Sequence, residues 1–389
     1  MSAIVLHNPL IVRTTVCYLT KILKWRRYNT EPVGKIFKVD GFDTYNKLID
    51  VNAMFSTMPD GMPVDRTGQV TTPVNFQIDR PWQVPTKQWS LEQAMQQRVM
   101  NLISKGQRIN ILWSGGIDST AMVVAFLQNL DSFEQIRILY SPYAQYEHPG
   151  YIENFLVKFP GLELVDISGD AYLNTQFDGI FITGDGGDEL TASIDESFFN
   201  THGPELLHTP WQDYFYKNTQ DDSLIEFCDS YFKSAGRPID TVLEARWWFY
   251  AICKNRFHLS EKCDLYIDYK NFDPKLIIGF YDCNEYENFI YWNIDQCITG
   301  NEYAGWKEVI KRYAVNFDGQ QEWYATKQKI NSLQANFYAR KNIVLKDCRY
   351  IFLLENGTRI ATPNLPLLGQ DEFENIYGST LDYLFNEPN

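Results

Sequence analysis

The chain has 389 residues, 44% hydrophobic and 22% charged, which is enough apolar material for two or three domains and excludes a disordered chain. Its formal net charge of −14 repels a polyphosphate backbone and argues against a broad nucleic-acid interface. The seven Cys form no C-x-x-C pair and the five His are dispersed, so no zinc or iron–sulfur ligand cluster is expected, and buried thiols in a reducing cytoplasm are. Residues 4–25 are the most apolar stretch near the start. His7, Asn8, Pro9, Arg13 and Lys21 interrupt them, so no membrane span is expected. The aromatic runs WQDYFY (211–216) and WWFY (247–250) read as core packing rather than a platform for bases.

Along the chain, residues 10–19 are dense in β-branched side chains and hint at a strand. Pro and Gly then punctuate residues 56–85, which read as the boundary between an N-terminal module (1–89) and a central domain (90–330). Residues 90–106 predict a helix, with Ser90 as its cap and Gly106 as its stop. A strand is expected over 108–113, then the loop Ser114-Gly115-Gly116, then a helix over 118–130. Strands follow at 136–141, 162–167 and 177–183, with a helix at 150–159. Residues 190–330 look helical and aromatic, and Asn356-Gly357 marks a hairpin over 349–362 in a C-terminal extension, 331–389. Strands alternating with helices predict an α/β fold: a doubly wound parallel sheet with helices on both faces. Ligands of such sheets lie beyond the carboxyl ends of the strands. Both Gly-rich loops, 114–117 and 184–187, leave such ends, so they share one rim.

The first loop has the chemistry of a phosphate cradle. Gly115 and Gly116 let the backbone approach an anion, Ser114 and Ser119 add hydroxyls, and the following helix points its positive end there. Asp118 would repel a bare phosphate; a shared Mg²⁺ gives it a reason to be present. The ligand then reads as a nucleoside triphosphate with Mg²⁺. Neither G-x-x-x-x-G-K-[ST] nor G-x-G-x-x-G is matched.

The match is instead to S-G-G-x-D-S, which resembles the PP-loop of the ATP pyrophosphatases. TGDGGDEL (183–190) resembles the second signature of asparagine synthetases and their relatives, without their glutaminase. The resemblance covers roughly residues 90–330. It implies that the first loop grips the β,γ-pyrophosphate while ATP is cleaved between α and β. It also implies that Asp118 and Asp188 hold Mg²⁺, that Asp185 lies near the reacting carboxylate or amine, and that Gly184 and Gly186 bring the second loop to the nucleotide. Ile111, Leu112 and Trp113 would pass near adenine and ribose. GWKEVIKRYA (305–314) resembles the family's basic helix; Lys307 would contact phosphates or the tetrahedral intermediate, with Lys311 as the next basic position. A solvated lysine on an amphipathic helix is the other reading of Lys307. KQKINS (327–332) matches too loosely to use.

Two departures matter. The second residue is Ser2 and the first Cys is Cys17, so no glutamine hydrolysis is expected and nitrogen comes from ammonia or a substrate amine. LTASIDESFF after Glu189 also differs from the family, which leaves the carboxylate open. The expectation is an ATP-dependent amide-forming ligase that adenylates a small-molecule or peptide carboxylate. Two other readings stay open: a PP-loop enzyme adenylating a tRNA or nucleobase, and a non-catalytic nucleotide-binding protein.

Overall fold

The computed structural model describes residues 41–55, 65–71, 80–140, 142–167, 177–187, 204–253, 276–297, 307–327, 347–353 and 359–366. By contacts the chain divides into two units. One is Met1–Gln83 with Leu207–Lys270 and Leu333–Asn389; the other is Val84–Leu206 with Asn271–Ser332. This differs from the expected consecutive segments 1–89, 90–330 and 331–389. The helices of 207–253 group with the described residues before Gln83 because Phe55, Asp65, Arg66 and Trp82 pack or bond against them.

The second unit holds the sheet. Helix α1 (Leu91–Ile103) opens on a capping box: the Ser90 side chain accepts from Gln93 N while the Gln93 side chain accepts from Ser90 N. Gly106, at φ +67°, turns the chain into β1 (Ile109–Trp113). Helix α2 (Ile117–Asn129) follows, then β2 (Ile136–Tyr140), α3 (Pro142–Glu147), α4 (Tyr151–Asn154), β3 (Glu163–Asp166) and β4 (Ile180–Thr183). After the intervening segment come β5 (Ile277–Gly279), α5 (Asn284–Asn293), α6 (Glu308–Asp318) and α7 (Gln321–Thr326). The strands are all parallel, in the order β3-β2-β1-β4-β5. This is the expected α/β class. Helix α2 packs against α1 and α6, and α1 against α5. Burial along α2 runs through Ile117 and from Ser119 to Leu127, which explains why its sequence is apolar on nearly every side.

Strand order fixes where a ligand can lie. From β1 the chain moves to β2 on one side, while β4 sits on the other side of β1 and neighbours β5. The β1/β4 boundary is therefore a topological switch point, where connections leave in opposite directions and open a crevice. Leu112 pairs with Thr183, so the two Gly-rich loops leave adjacent strands at the same height.

Three elements differ from expectation. The helix over 150–159 is only the four-residue α4 and a 3₁₀ turn at Leu156–Lys158, separated by Phe155 at φ −125°. Helix α3 and strand β5 were not expected. β5 is three residues long and too short to show a period; pairing with β4 defines it.

The first unit is helical and aromatic. Phe55, at the end of helix Asp43–Phe55, lies 5.4 Å from Phe215 and 6.0 Å from Phe249, ring centre to ring centre. Trp82 meets Trp248 edge-on at 4.8 Å. The boundary stretch is anchored. The buried Asp65 accepts from Thr67 N, Thr67 Oγ1, Val70 N and the Tyr231 hydroxyl, and Arg66 donates to Ala251 O. From the aromatic runs at 211–216 and 247–250, Trp211, Tyr214, Phe215, Trp247, Trp248 and Phe249 belong to this core, as expected, while Tyr216 is exposed and Tyr250 half-buried. Strands β6 (Asp347–Leu353) and β7 (Arg359–Pro366) pair antiparallel on either side of Asn356-Gly357, which itself lies outside the described residues, as do residues 10–19. Among the described residues no helix is long and apolar enough to cross a membrane.

Candidate active site

The first loop is built by close approach. Gly115 has φ +76°, and a Cβ there would lie 2.2 Å from Ala144 O and 2.8 Å from Glu147 Cβ. Helix α3 thus presses on the loop and only glycine fits. Ser114 and Ser119 lock its ends: Ser119 Oγ accepts from Ser114 N at 3.2 Å, lies 2.9 Å from Ser114 Oγ and donates to Gly116 O at 3.1 Å. Gly116 caps α2 without a side chain, and Asp118 sits in the helix's first turn. First-turn amides have no carbonyl four residues back to bond, so the helix offers N–H donors and a partial positive charge there.

The second loop lies directly over that helix end. A Cβ on Gly184 would be 2.8 Å from Ser119 N, and one on Gly187 would be 2.3 Å from Asp118 Cγ and Oδ1. Gly186 turns the loop at φ +95°. Thr183 Oγ1 donates to Asp185 Oδ2 at 2.5 Å, tying that carboxylate to the end of β4. So Ser114, Gly115, Gly116, Asp118, Ser119, Gly184, Asp185 and Gly186 converge on one rim. Gly187 was missed as a site residue; its place in the GDGG run was the available signal.

Lys307 joins them. Its ammonium forms an ion pair with Asp118 Oδ2, and its side chain is only 6% exposed, so the reading of a solvated lysine is overturned. Lys307 caps α6 with left-handed backbone, φ +53°, one of two described non-glycine residues at positive φ. Lys311, one turn further, is buried too. Burial lowers its pKa to about 8, helped by the charges of Lys307 and Lys327, with Glu308 acting in the opposite sense. Lys327 pairs with Glu147, the residue that presses on Gly115. Three buried ammonium groups therefore flank the loop of a chain whose net charge is −14. From sequence Lys327 was set aside as part of a loose match.

Other neighbours were not legible. The Tyr281 hydroxyl, just beyond β5, donates to Asp118 O at 2.8 Å. The His148 imidazole lies face to face with the Trp323 indole at 3.5 Å and 3°. Burial, followed by the charge of Lys327, lowers the His148 pKa to about 3, so it is neutral at neutral pH.

Two expected site residues need comment. Asp188 lies outside the described residues. The Trp113 indole is buried, donates to Thr120 Oγ1 at 3.0 Å and stacks on Tyr151, so it is part of the core and only its backbone is left to face a nucleotide. Leu112, beside it, is half-buried. Among the described residues no group of three or more His, Cys, Asp or Glu is arranged to hold a metal ion by itself. A comparison with models of known protein families finds no match, and neither does a search of curated proteins.

Proposed function

We propose that the chain is an asparagine synthetase-like, ATP-dependent ligase that forms an amide by adenylating a carboxylate. The observation that carries this reading is the convergence at the β1/β4 switch point. Two Gly-rich loops meet at the amino end of α2, with Gly184 against Ser119, Gly187 against the Asp118 carboxylate, and Lys307 on that carboxylate. In this reading the sheet is the doubly wound core of an adenine nucleotide alpha-hydrolase-like fold with helices on both faces, acting in the cytoplasm.

The donor set suits a magnesium pyrophosphate. Ser114, Gly115, Gly116 and Ser119 would hold the β- and γ-phosphates, with Lys307 and Lys311 supplying positive charge. Asp118 would hold Mg²⁺, with Asp188 as the second carboxylate that the resemblance implies. The metal, when bound, neutralises phosphate charge. A substrate carboxylate oxygen attacks the α-phosphorus, and the bond to pyrophosphate breaks. An amine nitrogen then attacks the carbonyl carbon of the acyl-adenylate. The carbon–oxygen bond breaks, AMP leaves with its electron pair, and the amine's proton goes to a base, a role assigned to Asp185. The chain's main contribution is orientation and charge placement.

Purified protein with Mg-ATP, ammonium and a pool of carboxylates (aspartate first) should release AMP and pyrophosphate. Asp118→Asn should abolish this release. Release of ADP and phosphate instead would sink the proposal.

A further inference from the structure

Asp118 has two claimants. In the proposed function it holds a divalent cation, yet its Oδ2 already carries the Lys307 ammonium. Lys307 lies out of water, its side chain 6% exposed, and Asp118 is largely shielded at 20%. The pairing is also held by unusual backbone. Lys307 adopts φ +53°, ψ 28° at the cap of α6, where a side chain other than Gly or Asn is disfavoured. Such a conformation persists where the surroundings impose it, and what it achieves here is to set a long cation on Asp118. Gly187 closes the other side of the carboxylate, leaving no room even for a methyl group.

We infer that Lys307 stands in for the divalent cation in the free protein, so that metal and polyphosphate bind tightly only together, by exchange of partners. This inference rests on the proposed function. A cation that arrived alone at Asp118 would displace the lysine and leave two like charges buried side by side. A polyphosphate that arrived alone could draw Lys307 to itself, but it would leave the Asp118 carboxylate facing an anion. When both arrive, Asp118 takes the cation, Lys307 takes a phosphate oxygen, and no buried charge is left alone. Lys311, one turn along α6 and likewise buried, reinforces the anion's side of the exchange. Coupling between two ligands of one site is typically about 5- to 150-fold, and this arrangement belongs in that range.

Inorganic pyrophosphate and Mn²⁺ serve as probes, with bound Mn²⁺ followed by electron paramagnetic resonance on the whole chain. The Mn²⁺–pyrophosphate complex in solution is included in the fit. Wild-type protein should bind Mn²⁺ weakly alone and roughly tenfold or more tightly once pyrophosphate is present. Lys307→Met should bind Mn²⁺ alone at least about tenfold more tightly than wild type and lose most of the coupling. Lys307→Arg, which keeps the charge, should retain it. If Mn²⁺ and pyrophosphate bind wild type independently, the exchange is wrong while polyphosphate binding stands. Full coupling in Lys307→Met would remove Lys307 from the exchange. No binding of either probe, alone or together, would overturn both the exchange and the proposed function. The wild-type cycle needs no variant, so a poorly folded Lys307→Met leaves the test intact.

Discussion

At the scale of single residues, adjacent glycines in the first loop have unequal duties. Gly115 needs both a left-handed backbone and an open flank against Ala144 O; Gly116, at φ −75°, would place a Cβ 3.3 Å from the end of the Ser114 side chain, which can rotate away. Gly115→Ala is therefore expected to cost roughly 2–4 kcal/mol, from backbone strain and a clash with a main-chain carbonyl. Gly116→Ala should stay within about 1 kcal/mol of wild type. Urea denaturation of both variants decides this, and equal costs would mean the loop is not pressed by α3. The S-G-G-x-D-S spacing pointed to the residues but not to this asymmetry. The group that excludes a side chain at Gly115 belongs to a helix that sequence reading did not find. Asp118 was legible as an acid in need of a cation. That Lys307 supplies one was not legible: the resemblance assigned Lys307 to phosphates or the tetrahedral intermediate, and 189 residues separate it from Asp118.

At the scale of elements, α6 carries Lys307 and Lys311 at one end and a different titrating group at the other. Asp318 accepts from Gln320 N and the Tyr324 hydroxyl, both at 2.9 Å, yet burial outweighs these bonds and raises its pKa to about 6. A carboxyl with a raised pKa binds its proton more tightly in the folded state. Its contribution to stability is full below about pH 4 and is lost as pH rises through about 6. Asp318→Asn removes the titration, so the variant's stability should change less between pH 4 and 6.5 than wild type's, as read from paired melting curves. Identical pH profiles would show that Asp318 titrates normally. Legibility at this scale follows length and burial. β1, α2, β2 and β4 are apolar runs whose own residues fill the core, and each appears within a few residues of its expected place. β5, with three residues, owes its existence to β4, and Lys327 owes its importance to Glu147 across 180 residues of chain.

At the scale of the whole molecule, each unit is assembled from separated stretches of chain. Residues 207–253 looked like a continuation of the sheet domain because their helices are as apolar and aromatic as a core requires; nothing in their pattern says which partner they bury against. Phe55 and Asp65 give the answer through Phe215, Phe249 and Tyr231. A chain shortened to begin at Val84 is expected to expose those aromatic faces, bind a hydrophobic dye and elute as species larger and more heterogeneous than the full chain in size-exclusion chromatography. A monodisperse, dye-silent product would show that the helices of 207–253 are self-sufficient. The partition also sets a timetable for synthesis. Asp118 leaves the ribosome 189 residues before Lys307, which at ordinary elongation rates is a lag of about 10–40 s. Through that interval the growing chain holds the acid without its intended cation, and the strand that closes the sheet, β5, is also made late. The first Gly-rich loop is therefore among the first parts of its unit to be made and among the last to be finished.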